Sequence, residues 1–130
     1  FNKDFYSIWN IEIYIMKAEP VAVRQWLQDA LQQPLQTLKE NAGSHHWQAQ
    51  IDGSSMDIFL NENAEKNFAS LWFKQNLTPW ATDLDCGRAA HAALGSEVRC
   101  SDSGWQESAQ SDEPGWIKLI RDEEKPFDWV

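Results

Sequence analysis

The chain has 130 residues, with 20 Asp and Glu against 11 Lys and Arg, so its net charge is −9. This length fits one domain, and a hydrophobic share of 42% is enough for a core. The negative charge opposes binding to nucleic-acid phosphates and to anionic membranes, which both attract Lys and Arg. No stretch approaches the ~20 apolar residues of a transmembrane helix. We therefore expect neither nucleic acid nor membrane as a partner.

The first fifth of the chain predicts a strand followed by a helix. Isoleucines at 11, 13 and 15 alternate with other residues, which is typical of a strand with one buried face. Pro20 stands where a helix tolerates proline, at its first position. Apolar residues then recur at helical spacing. They are Val23, Trp26, Leu27, Ala30 and Leu31.

Pro34 is expected to break that helix, with a short helical extension over residues 35–40. Residues 46–61 predict a β-hairpin, because apolar residues alternate on both sides of the turn signal Asp52-Gly53. Residues 61–67 are polar and predict a turn. The apolar run 68–73 predicts a more buried strand.

A second helix is predicted within residues 77–100. Thr82 is a suitable N-cap, and Asp83 and Asp85 suit the positive end of the helix dipole. Gly95 is expected directly after the last residue of this helix, where glycine commonly ends a helix. The apolar stripe consists of small residues, which would let the helix approach a sheet closely. It contains Cys86, Ala89, Ala90, Ala93 and Leu94, and a short strand with Val98 and Cys100 on one side follows.

Residues 101–115 form a long polar loop, and residues 116–121 predict a last strand. Residues 122–125 predict an acidic turn, and 127–130 an aromatic end that pairs on a sheet edge. The order is β-α-β-β-β-α-β-β. It predicts an α+β fold in which a single antiparallel or mixed sheet of about five to six strands is covered by two helices. Residues 1–130 form a single domain, with residues 1–10 a candidate flexible segment.

Known catalytic patterns are absent from the sequence, which has no Gly-rich phosphate loop, paired-Cys zinc pattern or nucleophile elbow. Cys86 and His91 resemble a nucleophile and base, but a spacing of five places them on diverging faces of one helix. We therefore predict no catalytic residue. Cys86 and Cys100 are expected to be reduced, with a disulfide between them as the alternative.

His45 and His46, with Asp52 or Asp57, are the candidate metal ligands. Adjacent histidines of a strand point to opposite faces, so at most one of them can share a metal with a neighbour. Helix capping explains Asp83 and Asp85 better than an acid/base pair does. We predict neither a metal nor a cofactor.

Tryptophan and acidic residues provide the strongest functional signal. The chain has eight tryptophans, and its last 29 residues hold eight acids against three bases. A small domain cannot bury eight indoles completely, and an exposed tryptophan is a preferred interface residue. We predict a partner-binding surface in this region. Its residues are Trp105, Glu107, Asp112, Glu113, Trp116, Asp122, Glu123 and Glu124.

Pro79-Trp80-Ala81-Thr82-Asp83, followed by Cys86, Ala89-Ala90, Ala93-Leu94-Gly95 and Val98-Arg99-Cys100, resembles a motif of small uncharacterised bacterial proteins. Trp116 and Trp129 are similar to later tryptophans of those proteins. The resemblance covers about the C-terminal half. It implies a bacterial, cytoplasmic setting and no activity or catalytic residues.

These features favour a non-catalytic protein-binding module, an immunity or antitoxin-like inhibitor that occludes a basic partner such as a toxin. Charge would speed the encounter, and buried aromatic side chains would supply most of the affinity. A homo-oligomer, for instance a homodimer whose interface covers the tryptophans, is one alternative. A small-molecule-binding or enzymatic domain with a pocket lined by Trp and His is the other.

Overall fold

Among the residues that the structure describes, eight strands form one antiparallel sheet and two helices pack on one of its faces, which confirms the predicted α+β class. This computed structural model describes residues 10–101 and 115–127. The elements in chain order are β1 (Ile11–Met16), α1 (Pro20–Leu31), β2 (Gln36–Asn41), β3 (Ser44–Ile51), β4 (Ser54–Glu65), β5 (Phe68–Phe73), α2 (Asp83–Leu94), β6 (Val98–Ser101), β7 (Trp116–Ile120) and β8 (Glu123–Phe127).

The strand order across the sheet is β2-β3-β4-β5-β1-β6-β7-β8. Two meanders, β2 to β5 and β6 to β8, therefore flank β1, which pairs with both of them. The isoleucines predicted to line one face of β1 are at most 1% exposed. Burying one such side chain stabilises the fold by about 1.5–3 kcal/mol, so β1 is the centre of the core.

Both helices cover the face that carries these isoleucines. From α1, Trp26 and Leu27 join the core, and from α2, Cys86 and Ala90 do so. A Cβ added at Gly87 would lie 3.1 Å from Cδ1 of Leu119 on β7. The missing side chain thus lets α2 approach the sheet closely, as the stripe of small residues predicts.

The predicted helix ends agree with the structure. Helix α1 starts at Pro20 and ends before Gln32, which adopts a left-handed conformation with φ 57°. The hydroxyl of Thr82 accepts a hydrogen bond from the backbone N–H of Asp85 over 3.0 Å, which caps α2. Gly95, with φ 73°, donates its N–H to the carbonyl of His91 and ends that helix.

Residues 36–41 are a strand, so the predicted helical extension over 35–40 is wrong. This strand, β2, pairs only with β3 and is exposed along its whole length. An exposed edge strand needs no apolar face, which explains why its sequence shows no alternation. The predicted turn over 61–67 is also too long, because β4 continues to Glu65 with an irregularity in its pairing.

The C-terminal hairpin turns one residue earlier than predicted. Arg121 and Asp122 both have positive φ and form the turn, and Glu123 already belongs to β8. The predicted aromatic end over 127–130 contributes Phe127 to this edge strand, and residues 128–130 lie outside the described ranges. So do residues 1–9 and residues 102–114 of the predicted polar loop.

Helices long and apolar enough to cross a membrane are absent from residues 10–101 and 115–127.

Candidate functional site

The sheet face turned away from the helices, here called the open face, carries a row of stacked aromatic side chains. His46, Phe59 and Trp72 are paired directly across β3, β4 and β5. The ring centroids of His46 and Phe59 are 4.3 Å apart, and those of Phe59 and Trp72 are 5.3 Å apart. All three side chains are half-buried. This aromatic row is an apolar ridge on a surface that the helices leave uncovered.

A carboxylate ends the aromatic row at the centre of the sheet. Glu12 of β1 pairs with Trp72 and lies on the side of Trp72 opposite Phe59. Burial raises the pKa of Glu12, and a long hydrogen bond of 3.5 Å from the Tyr14 hydroxyl lowers it by less. Among the side chains that the structure describes, no Lys, Arg or His forms an ion pair with Glu12. Within the described part of the chain, its charge is therefore uncompensated on the open face.

A second carboxylate lies beside the other end of the row. Oδ1 of Asp57 is 3.0 Å from Nε2 of His46 and accepts a 3.1 Å hydrogen bond from Gln48. The contact with His46 lowers the pKa of Asp57, which outweighs the opposite effect of burial. The predicted proximity of His46 and Asp57 is therefore found, as a contact between the imidazole ring and the carboxylate.

An arginine of the same face shows how this surface holds a cation. The guanidinium carbon of Arg99 lies 4.4 Å from the ring centroid of Phe68 and 4.7 Å from that of Phe127. Its Nε is 2.8 Å from Oε2 of Glu97. Two aromatic rings and one carboxylate thus surround one guanidinium.

Half of the predicted partner-binding residues belong to the β7–β8 hairpin. Trp116 starts β7 and packs edge-on against Tyr14, with 5.9 Å between ring centroids. Asp122 lies in the turn, at the other end of β7, with its side chain 96% exposed. The structure therefore does not bring Trp116 and Asp122 together. The other half, Trp105, Glu107, Asp112 and Glu113, lies outside the described residues.

The remaining two predicted residues face opposite sides of β8. Glu123 is exposed and lies 3.3 Å from Nζ of Lys125. Glu124 accepts two hydrogen bonds from Arg88 of α2, over 2.6 and 3.1 Å, and these lower its pKa. A cation of the chain itself thus pairs with each of these acids, so β8 presents less negative charge than its sequence indicates.

Cys86 and Cys100 are both buried and are not joined by a disulfide. Burial raises the pKa of the Cys86 thiol, which disfavours the reactive thiolate. His91 contacts backbone groups with both ring nitrogens: Nδ1 is 2.7 Å from the carbonyl of Ser96, and Nε2 accepts the N–H of Asp122. Cys86 is therefore a buried core residue, and the His91 ring is occupied by contacts with the backbone.

His45 points to the face opposite His46, as predicted. Its Nδ1 is 2.9 Å from Glu40 and its Nε2 is 2.7 Å from Glu62, so both nitrogens act as donors to carboxylates when the ring is charged. Burial lowers the pKa of His45, but the bonds to Glu62 and Glu40 outweigh it and raise the pKa overall. Within the described ranges, no group of three or more His, Cys, Asp or Glu side chains is arranged to hold a metal.

Asp83 lies at the start of α2, as predicted, and also contacts the backbone of β1. Its Oδ1 accepts a 3.2 Å hydrogen bond from the backbone N–H of Glu12. Burial raises its pKa to about 6, which is partly offset by that hydrogen bond, and the nearby Glu12 raises it further. Two carboxylates with raised pKa values, Glu12 and Asp83, therefore lie close together beside β1.

The chain matches no protein-family model, and no curated protein or solved structure is found to be similar to it. The sequence does not reveal the aromatic row because residues 68–73, apart from Ser70, are apolar on both faces of the strand, which hides the face that Trp72 occupies. The available signal was the spacing within the predicted hairpin. Alternation through Trp47 and Ile58 places His46 and Phe59 on the opposite face, where they become cross-strand neighbours.

Proposed function

We propose that this chain is a non-catalytic protein-binding module, an immunity or antitoxin-like inhibitor that covers a basic surface of its partner with the open face. The observation that carries this proposal is the half-buried aromatic row with Glu12 at one end and Asp57 beside the other. Aromatic anchors surrounded by polar residues are typical of protein interfaces.

Charge supports the same partner class. A net charge of −9 favours encounter with a basic protein and disfavours anionic partners. The exposed acid Asp122 adds to this field from the turn of the β7–β8 hairpin. The two buried cysteines, which form no disulfide with each other, fit a reducing compartment such as the cytoplasm.

Both edges of the sheet carry features that oppose strand addition. Edge strand β8 contains Lys125 and Pro126, and edge strand β2 has an irregularity in its pairing between Thr37 and Lys39. Oligomers that extend the sheet through its edges are therefore disfavoured. The open face is the better surface for a partner.

The test is affinity capture from a lysate of the encoding organism at low and high salt, read by mass spectrometry. We expect one stoichiometric basic protein, whose capture falls at high salt because charge contributes to the association. Phe59→Gln should abolish most of the capture. Val21→Gln is the matched control, because Val21 is 81% exposed on α1, on the helix-covered side.

Recovery of the chain alone would contradict the proposal. A sedimentation mass of two or more chains would then favour the homo-oligomer. A change of tryptophan fluorescence on addition of a metabolite would instead favour a small-molecule-binding or enzymatic domain.

A further inference from the structure

We propose that Glu12 and Trp72 form a binding site, here called the arginine site, for an arginine side chain of the basic protein partner. The inference rests on the proposed function and names the chemical group that the open face recognises. In the proposed complex the guanidinium packs against the indole of Trp72 while the Glu12 carboxylate accepts its hydrogen bonds.

The order of the strands places these two groups side by side. Phe59 on β4 and Glu12 on β1 flank Trp72 on β5, each as its direct cross-strand partner. Directly opposed residues of an antiparallel pair have Cβ atoms about 4.5–5.5 Å apart. The indole therefore packs against Phe59 on one neighbouring strand, and Glu12 occupies the paired position on the other neighbouring strand.

Glu12 has acceptor capacity left for a cation. Its carboxylate receives one hydrogen bond from the described residues, from the Tyr14 hydroxyl at the long distance of 3.5 Å. An ionised carboxylate offers about four acceptor sites on its two oxygens. By contrast, the acids Glu97 and Glu124 are each paired with an arginine of the chain.

A second carboxylate strengthens the charge complementarity. Asp83 contacts the backbone of Glu12, and the two acids repel each other's ionised form. An added cation at this point would relieve that repulsion and replace water around half-buried charges.

The chain itself already holds one arginine by the same chemistry. Arg99 lies on the open face against the rings of Phe68 and Phe127 and is bonded to Glu97. The arginine site offers the corresponding groups, an aromatic ring and a carboxylate, to a guanidinium of the partner protein. Arginine is preferred to lysine because its planar group both stacks on an aromatic face and binds a carboxylate through two parallel hydrogen bonds.

The experiment is an NMR titration of the ¹⁵N-labelled full chain with N-acetyl-arginine amide, with N-acetyl-lysine amide as the comparison ligand. We expect saturable shifts of the Trp72 indole N–H and the Glu12 amide, with arginine binding at least about threefold more tightly than lysine. Glu12→Gln should weaken arginine binding about fivefold or more. This variant keeps the side-chain size and removes an uncompensated charge, so it should remain folded.

Asp29→Asn is the matched control, since it removes one negative charge from an exposed position on α1. It should leave the arginine titration unchanged. The inference is overturned if Trp72 does not respond, if lysine binds equally well, or if Glu12→Gln and Asp29→Asn have the same effect. If Phe59→Gln reduces the capture of a basic partner and Glu12→Gln does not, the proposed arginine site is wrong. The proposed function would still hold in that case.

Discussion

The backbone N–H of Asp122 donates to Nε2 of His91 over 3.0 Å, and Nδ1 of the same ring lies 2.7 Å from the carbonyl oxygen of Ser96. The first contact requires an unprotonated Nε2, so Nδ1 carries the proton and donates to Ser96. One neutral imidazole thus ties the end of α2 to the turn between β7 and β8.

Replacement of this ring should loosen the hairpin. We expect His91→Ala to lower the free energy of unfolding by about 1–3 kcal/mol, because it removes two hydrogen bonds and leaves the backbone groups without these partners. Urea denaturation measures this loss. Ala92→Gln, at an exposed position of the same helix, should change the stability little. Equal stability of the two variants would show that the imidazole contacts contribute nothing.

Introducing glycine into the turn between β7 and β8 should stabilise the chain. Arg121 and Asp122 have φ angles of 53° and 64°, whereas the turn between β3 and β4 has Asp52 and Gly53 at 52° and 85°. Non-glycine residues adopt this conformation at a cost. We expect the double variant Arg121→Asn and Asp122→Gly to stabilise the chain by about 1 kcal/mol, as measured by urea denaturation.

Gly53→Ala is the reciprocal change, because it adds a Cβ at positive φ in open space. It should destabilise the chain by about 1 kcal/mol. A loss of stability in the Arg121→Asn and Asp122→Gly variant would mean that the arginine and aspartate side chains contribute more than the strain costs.

Asp83 should destabilise the fold at neutral pH. Its pKa is about 6 in the folded chain against a usual 3.8, so the folded state binds the proton more tightly. Its contribution to stability therefore rises as the pH falls from above 6 toward 3.8. We expect Asp83→Asn, which keeps an acceptor for the Glu12 N–H, to stabilise the chain by about 1 kcal/mol near pH 8.

The control for Asp83 is Asp85→Asn in the same helical turn, where the carboxylate lies 3.4 Å from Arg88. Removal of this ion pair should not stabilise the chain. Thermal unfolding of both variants at several pH values compares their stabilities. If both variants are more stable than the wild type, the cause is general charge repulsion rather than burial of Asp83.

His45 should make stability depend on pH in a different range. Because its folded pKa is raised above 6.5, its bridge between Glu40 and Glu62 contributes fully below pH 6.5 and is lost as the pH rises through the folded value. The wild type should therefore lose stability relative to His45→Gln as the pH rises above 6.5. Chemical denaturation across this range measures the difference, and parallel profiles would contradict it.

Local patterns predicted the elements whose signal lies within a few neighbouring residues. The isoleucines of β1, the Asp52-Gly53 turn, the Thr82 cap and the Gly95 terminus all appear as expected, because each pattern can be recognised within a few neighbouring residues. The polar edge strands β2 and β8 were missed or misplaced, because exposure on both faces removes the alternation that identifies a strand.

The candidate site depends on contacts between distant residues, which local patterns do not contain. Glu12 and Trp72 meet only because β1 inserts beside β5, far along the chain. Likewise, the pairing of Glu124 with Arg88 depends on how α2 lies over the last hairpin. Composition predicts a surface of acidic and aromatic residues but not their arrangement, which follows from the strand order.

The position of β1 between the two meanders has a consequence for the folding kinetics. Each meander joins strands that are neighbours in sequence, so its loops close at little entropic cost. The pairing of β1 with β6, by contrast, joins Tyr14 to Arg99 and closes most of the chain into one loop. Such non-local pairing slows folding. We therefore expect the docking of both meanders onto β1 to limit the folding rate, and substitutions of Ile13 or Ile15 to slow folding more than substitutions in the outer strands.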